Sequence, residues 1–238
     1  MVLIHGYGLD RRLWDPQVGV YSGRYHMLRF DCRGFGESEG PLEDGFRYVD
    51  DLRALLDRLG IERATFVGLS MGGQIAMETA LLHPERVERL ILVDPFLADF
   101  DFSPDWHGMW RELAHQARNQ GIEAAKETWC EAMLLRLEVR HPQAAALLRS
   151  MMLGWSGWHL AHPQHFPYVR LSPRLSEIRA PTLVLVGELD LPDFQAISKL
   201  LEQRLPRARR VVVPGVGHQP NLEDPERFHA LVDSFLER

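Results

Sequence analysis

Ser70, Asp190 and His218 are side chains of the types, and in an order, that acyl transfer can use. A serine hydroxyl alone is a weak nucleophile. It needs a base within hydrogen-bond reach, and the base needs a carboxylate that fixes its tautomer and stabilises the imidazolium. Ser70 stands in Gly68-Leu69-Ser70-Met71-Gly72-Gly73, behind the apolar run Thr65-Phe66-Val67 and ahead of a helical pattern. Strand, strained turn and helix around Gly-x-Ser-x-Gly read as a nucleophile elbow, with Gly68 and Gly72 removing side chains where strand and helix pass closely. The Met71 amide then lies at a helix N-terminus, where unpaired donors favour a developing oxyanion.

The elements that must carry these residues follow from the apolar periodicity. Val2-Leu3-Ile4 reads as a buried strand ending at His5-Gly6-Tyr7-Gly8. A helix is expected from about Leu13 to Val20, a strand from His26 to Phe30, and a structured turn over Asp31 to Ser38. Val49, Leu52, Leu55, Leu56 and Leu59 have helical spacing, and Gly60 falls where a glycine cap belongs. A helix after the elbow ends at His83-Pro84, and Val87 to Val93 is the next strand. Later strands cover Thr182 to Val186 and Arg210 to Val213. Helices follow each, the last opened by Pro225. Such alternation predicts an α/β core with a mostly parallel sheet and helices on both faces. Ser70, Asp190 and His218 each follow a strand, so all three loops meet at the carboxyl edge, where ligands bind in such sheets.

Residues 96–176 break the alternation. No strand is evident there, and prolines at 104, 142, 163, 167 and 173 bound helical stretches, so the segment is expected to be a helical cap inserted between core portions 1–95 and 177–238. Five of the six tryptophans, Trp106, Trp110, Trp129, Trp155 and Trp158, lie in it. Some must pack the cap on the core, and at least two are expected to line an apolar substrate pocket at the junction.

With 238 residues, 45% of them hydrophobic, and a net charge of -6, the chain is long enough for one large core and offers no basic footprint for nucleic acid. Cys32 and Cys130 match no metal or redox spacing, which points to a reducing compartment. There is no signal-peptide pattern and no apolar run near the ~18 residues of a membrane span, so a cytoplasmic location without membrane association is expected. His159, His162 and His165 recur every third residue. Pro163 interrupts any helix there and no carboxylate or cysteine is close, so a metal site is not indicated.

Taken in order, His5-Gly6-Tyr7-Gly8, Asp31-x-Arg33-Gly34-x-Gly36-x-Ser38, the Ser70 elbow, Gly187-x-x-Asp190 and Gly217-His218 resemble the α/β-hydrolase family over almost the whole length. The resemblance implies Ser70 as nucleophile, His218 as general acid and base, Asp190 as orienting acid, and the amides of Tyr7 and Met71 as oxyanion hole, with no cofactor. Asp94 also follows a strand and is the alternative acid, although Asp94-Pro95 reads better as a chain-turning residue. Asp193 reads as a helix cap. His5 is expected to support the oxyanion loop by a hydrogen bond.

Ser at the elbow separates the chain from the dehalogenase and epoxide-hydrolase branches, which place Asp there. Hydrolases of carbon-carbon bonds in aromatic ring-fission products usually carry Asn before the nucleophile and Trp after the histidine, where this sequence has Leu69 and Gln219. Its motifs look more like those of carboxylesterases and enol-lactone hydrolases. A small to medium ester or lactone is therefore the expected substrate, with carbon-carbon hydrolysis, perhydrolysis or acyl transfer, and ligand sensing as alternatives. The family normally has two strands before the one ending in His-Gly. Here the chain opens at that strand, so either the start lies upstream or His26 to Phe30 forms an exposed edge, which invites a homodimer.

Overall fold

In the computed structural model of the chain the described residues are 1–38, 45–162 and 168–237, with only the backbone of 135, 136 and 138 considered. Six strands form one sheet: β1 (Val2–Ile4), β2 (Leu28–Phe30), β3 (Ala64–Leu69), β4 (Val87–Val93), β5 (Thr182–Gly187) and β6 (Ala208–Val213). All pairings are parallel, in the order β2-β1-β3-β4-β5-β6. β3 and β5 are buried at every position, as strands covered on both faces must be.

The core helices are α1 (Asp15–Tyr21), α2 (Tyr48–Arg58), α3 (Met71–Leu82), α8 (Pro192–Arg204), the short α9 (Pro220–Glu223) and α10 (Pro225–Leu236). Between β4 and β5 lie α4 (Pro104–Asn119), α5 (Ile122–Arg140), α6 (Pro142–Gly154) and α7 (Trp158–Ala161). Pro104 and Pro142 sit in the first turns of α4 and α6. Pro163 and Pro167 lie outside the described residues. No helix among the described residues is long and apolar enough to cross a membrane.

Two expected elements shift. The helix expected from Leu13 starts later, because Asp10 accepts the Arg12 N–H and caps a 3-10 turn over Arg11–Trp14, after which Pro16 opens α1. The strand expected from His26 is shorter, since its ladder with β1 pairs Val2 with Leu28. β2 lies at the sheet edge.

α3 is buried on all sides from Met71 to Leu81, packing against β1, β3 and β4. A helix surrounded by protein must satisfy any polar side chain internally. Gln74, and Glu78 through Oε1, do so by holding both connections to the α4–α7 segment, while Glu78 Oε2 has no hydrogen-bond partner among the described residues. Gln74 Oε1 accepts the Ala98 N–H at 3.1 Å, and its Nε2 donates to Val169 O at 3.1 Å and to Glu78 Oε1 at 2.8 Å. Glu78 Oε1 also accepts the Val169 N–H at 2.9 Å. Asp99 joins the same connections by accepting from the N–H groups of Leu171 and Ser172.

Burial pushes the Glu78 carboxyl from 4.5 to about 7, against the opposing hydrogen bonds from Gln74 and Val169. The native state therefore prefers the protonated form more than the unfolded chain does. That contribution to stability is full below the unfolded value and is lost as pH rises through about 7. Glu78→Gln, neutral throughout, should gain in melting temperature relative to the wild type between pH 5 and pH 8, by an amount equivalent to at most ~3 kcal/mol. A difference that stays constant with pH would show that Glu78 does not titrate in this range.

Candidate active site

Ser70 is the turn between β3 and α3, with φ of 51° and ψ of -112°, a region that a non-glycine residue occupies only when its surroundings hold it there. They do so through its backbone: Ser70 N donates to Val93 O at 2.9 Å, and Ser70 O accepts from Phe96 N at 3.0 Å and Gly73 N at 2.9 Å. A side chain at Gly72 would collide with the carbonyl of Ile4, so only glycine lets α3 pass this close to β1. Met71 opens α3, and its amide is among the N-terminal donors with no partner inside the helix.

The loop after β5 carries Asp190 and the loop after β6 carries His218. His218 Nδ1 and Asp190 Oδ2 are 2.8 Å apart, and Asp190 Oδ1 accepts the Leu191 N–H at 2.7 Å. With Nδ1 engaged, Nε2 is the nitrogen left for proton transfer. Burial works to raise the Asp190 carboxyl, but the charge and hydrogen bond of His218 outweigh it and hold the group below its ordinary value. Glu223 braces the histidine loop on both sides of His218, accepting the N–H of Gly217 at 2.8 Å and of Gln219 at 3.0 Å. Phe194 of α8 meets the imidazole edge-to-face with ring centroids 4.5 Å apart.

These residues border a cavity of about 850 Å³ whose lining includes Gly6, Tyr7, Ser70, Asp190 and His218 on the core side and residues of α4, α5 and α6 opposite. The facing wall is mostly apolar, with Met109, Met133, Leu137 and Met152 among its members, and Arg140 at the end of α5 brings a charge to it. Of the five tryptophans of the helical segment, Trp106, Trp110 and Trp129 line the cavity. Trp155 and Trp158 are not among the lining residues. Trp155 is buried behind the lining, stacked on Phe35 and edge-on to Tyr7, while Trp158 stacks on His162. Trp155 is thus a packing residue, whereas Trp158 is half-buried.

His5 is buried and bridges two loops. Cys32 N donates to its Nε2 at 2.9 Å, which makes Nδ1 the protonated nitrogen, and this donates to Gly6 O at 2.7 Å. It thereby fixes the backbone just before Tyr7. The histidine series turns to separate partners: His159 Nε2 meets the Tyr48 hydroxyl at 3.0 Å and His162 Nδ1 donates to Trp158 O at 2.8 Å. His165 lies outside the described residues.

Two aspartates behave differently from their sequence reading. Asp193 does not cap α8, whose first residues have no side-chain cap. It accepts from Ser103 N at 2.9 Å and Ser103 Oγ at 2.7 Å, tying the start of α4 to the helix behind the Asp190 loop. Asp94 does turn the chain, with φ of 41°, but its carboxyl is wholly buried beside Asp190. Sequence spacing gave no warning of either contact, since both join residues about ninety positions apart. Glu223 left a fainter signal, an acid four residues beyond Gln219 in the His218 loop.

A family model described as the alpha/beta hydrolase fold matches residues 1–225. A solved enol-lactonase from Burkholderia xenovorans LB400 superposes with a TM-score of 0.86 at 30% identity, over 100% of this chain and 90% of that one. The carboxylesterase YbfK of Bacillus subtilis is 27% identical over 99% of this chain and 79% of its own length. Another B. subtilis protein, provisionally named 2-succinyl-6-hydroxy-2,4-cyclohexadiene-1-carboxylate synthase, is 29% identical over 99% of this chain and 89% of its own length.

The Asp193–Ser103 tie is open to measurement by a double-mutant cycle. Asp193→Ala leaves two Ser103 donors without their acceptor and should cost ~1–3 kcal/mol of unfolding free energy. Combined with Ser103→Ala, the losses should fall short of additivity by ~0.5 kcal/mol or more. Additive losses would show that the pair is not coupled.

Proposed function

The chain belongs to the α/β-hydrolase family, and we propose that within it the protein is a serine hydrolase of carboxylic esters or lactones, working through an acyl-enzyme on Ser70. The observation that carries the reading is the strained Ser70 turn on the wall of a large apolar cavity that His218, bonded to Asp190, also lines. The helices α4–α7 serve as its cap. Ser70 Oγ attacks the substrate carbonyl while His218 Nε2 takes its proton, and the amides of Tyr7 and Met71 hold the oxyanion. Collapse of the tetrahedral intermediate expels the alcohol, which receives the proton from His218. Water, deprotonated by the same imidazole, then attacks the acyl-enzyme and releases the acid, returning Ser70 to its starting state. No cofactor takes part.

The cavity has the size of a site for a medium-sized molecule, and its tryptophan and methionine wall favours an apolar acyl or alcohol group. The enol-lactonase and carboxylesterase similarities support ester and lactone substrates. The synthase name of one relative marks a different activity on this fold, so the acid and alcohol products of turnover have to be identified chemically.

Ser70→Ala should abolish labelling by a fluorophosphonate probe and nearly all turnover of the best ester, with the circular dichroism spectrum unchanged. Labelling retained in that variant would remove Ser70 from the role. The specificity constant for the best ester or lactone should exceed that for a ring-fission dienoate. A tenfold preference for the dienoate, ~1.4 kcal/mol of transition-state stabilisation, would instead establish carbon-carbon hydrolysis. Inclusion of peroxide or a short alcohol in the same assay reports acyl transfer, through peracid or ester among the products.

A further inference from the structure

Asp94 is a buried carboxyl group to which the acyl-enzyme route assigns no task. It follows β4 directly, has no exposed surface, and stands on backbone with φ of 41°. Its own N–H donates to Leu185 O at 2.8 Å, and its Oδ1 accepts the Gly187 N–H at 2.9 Å. Gly187 in turn binds the acid loop, its carbonyl accepting from Asp190 N at 3.2 Å. Oδ2 of Asp94 receives no N–H or hydroxyl donor among the described residues. Its neighbour is Asp190: a carboxyl oxygen of each aspartate and a ring nitrogen of His218 all lie within 4.8 Å of one another.

Two carboxylates this close and out of water do not both ionise, so the pair carries one proton. Its place follows from the donors each group has. Asp190 accepts from Leu191 N–H and from His218, whereas Asp94 accepts from one backbone N–H, and the buried Glu223 adds a further acidic group on its side. An ionised Asp94 would leave Oδ2 without a donor and set a second negative charge beside Asp190. A protonated one has an acceptor there.

We propose that Asp94 is a positioning residue that stays protonated and donates its Oδ2–H to the Asp190 carboxylate, so that His218 works against a pair of acids sharing one negative charge. Asp190 then receives three donors, from Leu191, His218 and Asp94, which fix its rotamer. Sharing its charge with Asp94 also makes it a weaker acceptor for the imidazolium, so His218 releases its proton to the leaving group more readily. The proposal rests on the serine-hydrolase reading.

The test compares pH profiles of kcat/KM for the best ester in the wild type, Asp94→Asn and Asp94→Ala, with fluorophosphonate labelling of Ser70 measured in each. Asparagine tolerates positive φ, keeps an acceptor for Gly187 and substitutes an N–H donor toward Asp190. It should lower kcat by no more than about threefold and leave the acidic limb of the profile within ~0.3 pH unit. Alanine removes the donor, leaving Asp190 a stronger acceptor for the imidazolium. Its acidic limb should move to higher pH and kcat should fall on the order of tenfold, with KM nearly unchanged. If Asp94 is instead ionised, Asp94→Asn deletes a negative charge facing His218 and the acidic limb drops by about one unit or more, which overturns the proposal. An alanine variant with the wild-type profile overturns it as well. Should that variant not fold, isotope-edited infrared spectroscopy decides: the wild type should show a protonated aspartic acid band that Asp94→Asn lacks, and its absence refutes a proton on Asp94. Absence of Ser70 labelling in the wild type would defeat the serine-hydrolase reading separately, while the infrared arm still reports where the proton lies.

Discussion

The turn at Ser70 is held by the strand beside it, and much of the molecule is arranged around that contact. Ser70 N donates to the last carbonyl of β4 and Ser70 O accepts the N–H of Phe96, so the end of β4 and the segment just after it clamp the turn. A residue with φ of 51° stores strain that has to be offset by its neighbours. These bonds supply that support, and the close fit of Gly72 against β1 keeps α3 from relaxing away. Within this buried helix Gln74 takes backbone partners at both ends of the helical segment, Ala98 and Val169, and Glu78 takes one, Val169.

Parallel topology does the rest of the positioning. Because every strand runs the same way, the loops after β1, β3, β5 and β6 open on one edge, and residues as far apart as Tyr7 and His218 line one cavity. This much was legible in the sequence. Apolar runs marked the strands to within two or three residues, glycines marked the elbow, and the position of each polar residue behind a strand placed it at the edge. Where the reading shifted, at α1 and β2, a capped 3-10 turn and the reach of a neighbouring strand decided the boundaries, and periodicity reports neither.

What the sequence did not disclose lies in contacts between elements remote along the chain. Helical spacing could not distinguish Trp106, Trp110 and Trp129, which face the cavity, from Trp155, whose ring is locked against Phe35 and Tyr7. Asp193 has the composition of a first-turn residue and the contacts of an anchor. Asp94 was legible as a turn, because a residue before proline at a strand end must redirect the chain, yet its carboxyl points to a partner that only the adjacency of β4 and β5 supplies.

That adjacency sets two carboxyls beside one histidine. Asp190 and His218 lie on loops of neighbouring strands, and Asp94, the second carboxyl, follows the strand on the other side of β5. The three groups thus span three consecutive strands. The sheet sets the spacing of the loops, and hydrogen bonds within them hold Asp190 and His218 in place. The opposite wall is held differently, by Ser103 against Asp193, by Trp106 stacked on Phe102, and by Phe194 between Trp106 and His218. The sheet and its loops place the charges, while an aromatic chain from α4 sets the shape of the space in front of them. Trp106 of α4 thus touches Phe194, and Phe194 touches His218, so α4 and the imidazole are joined by a chain of two ring contacts.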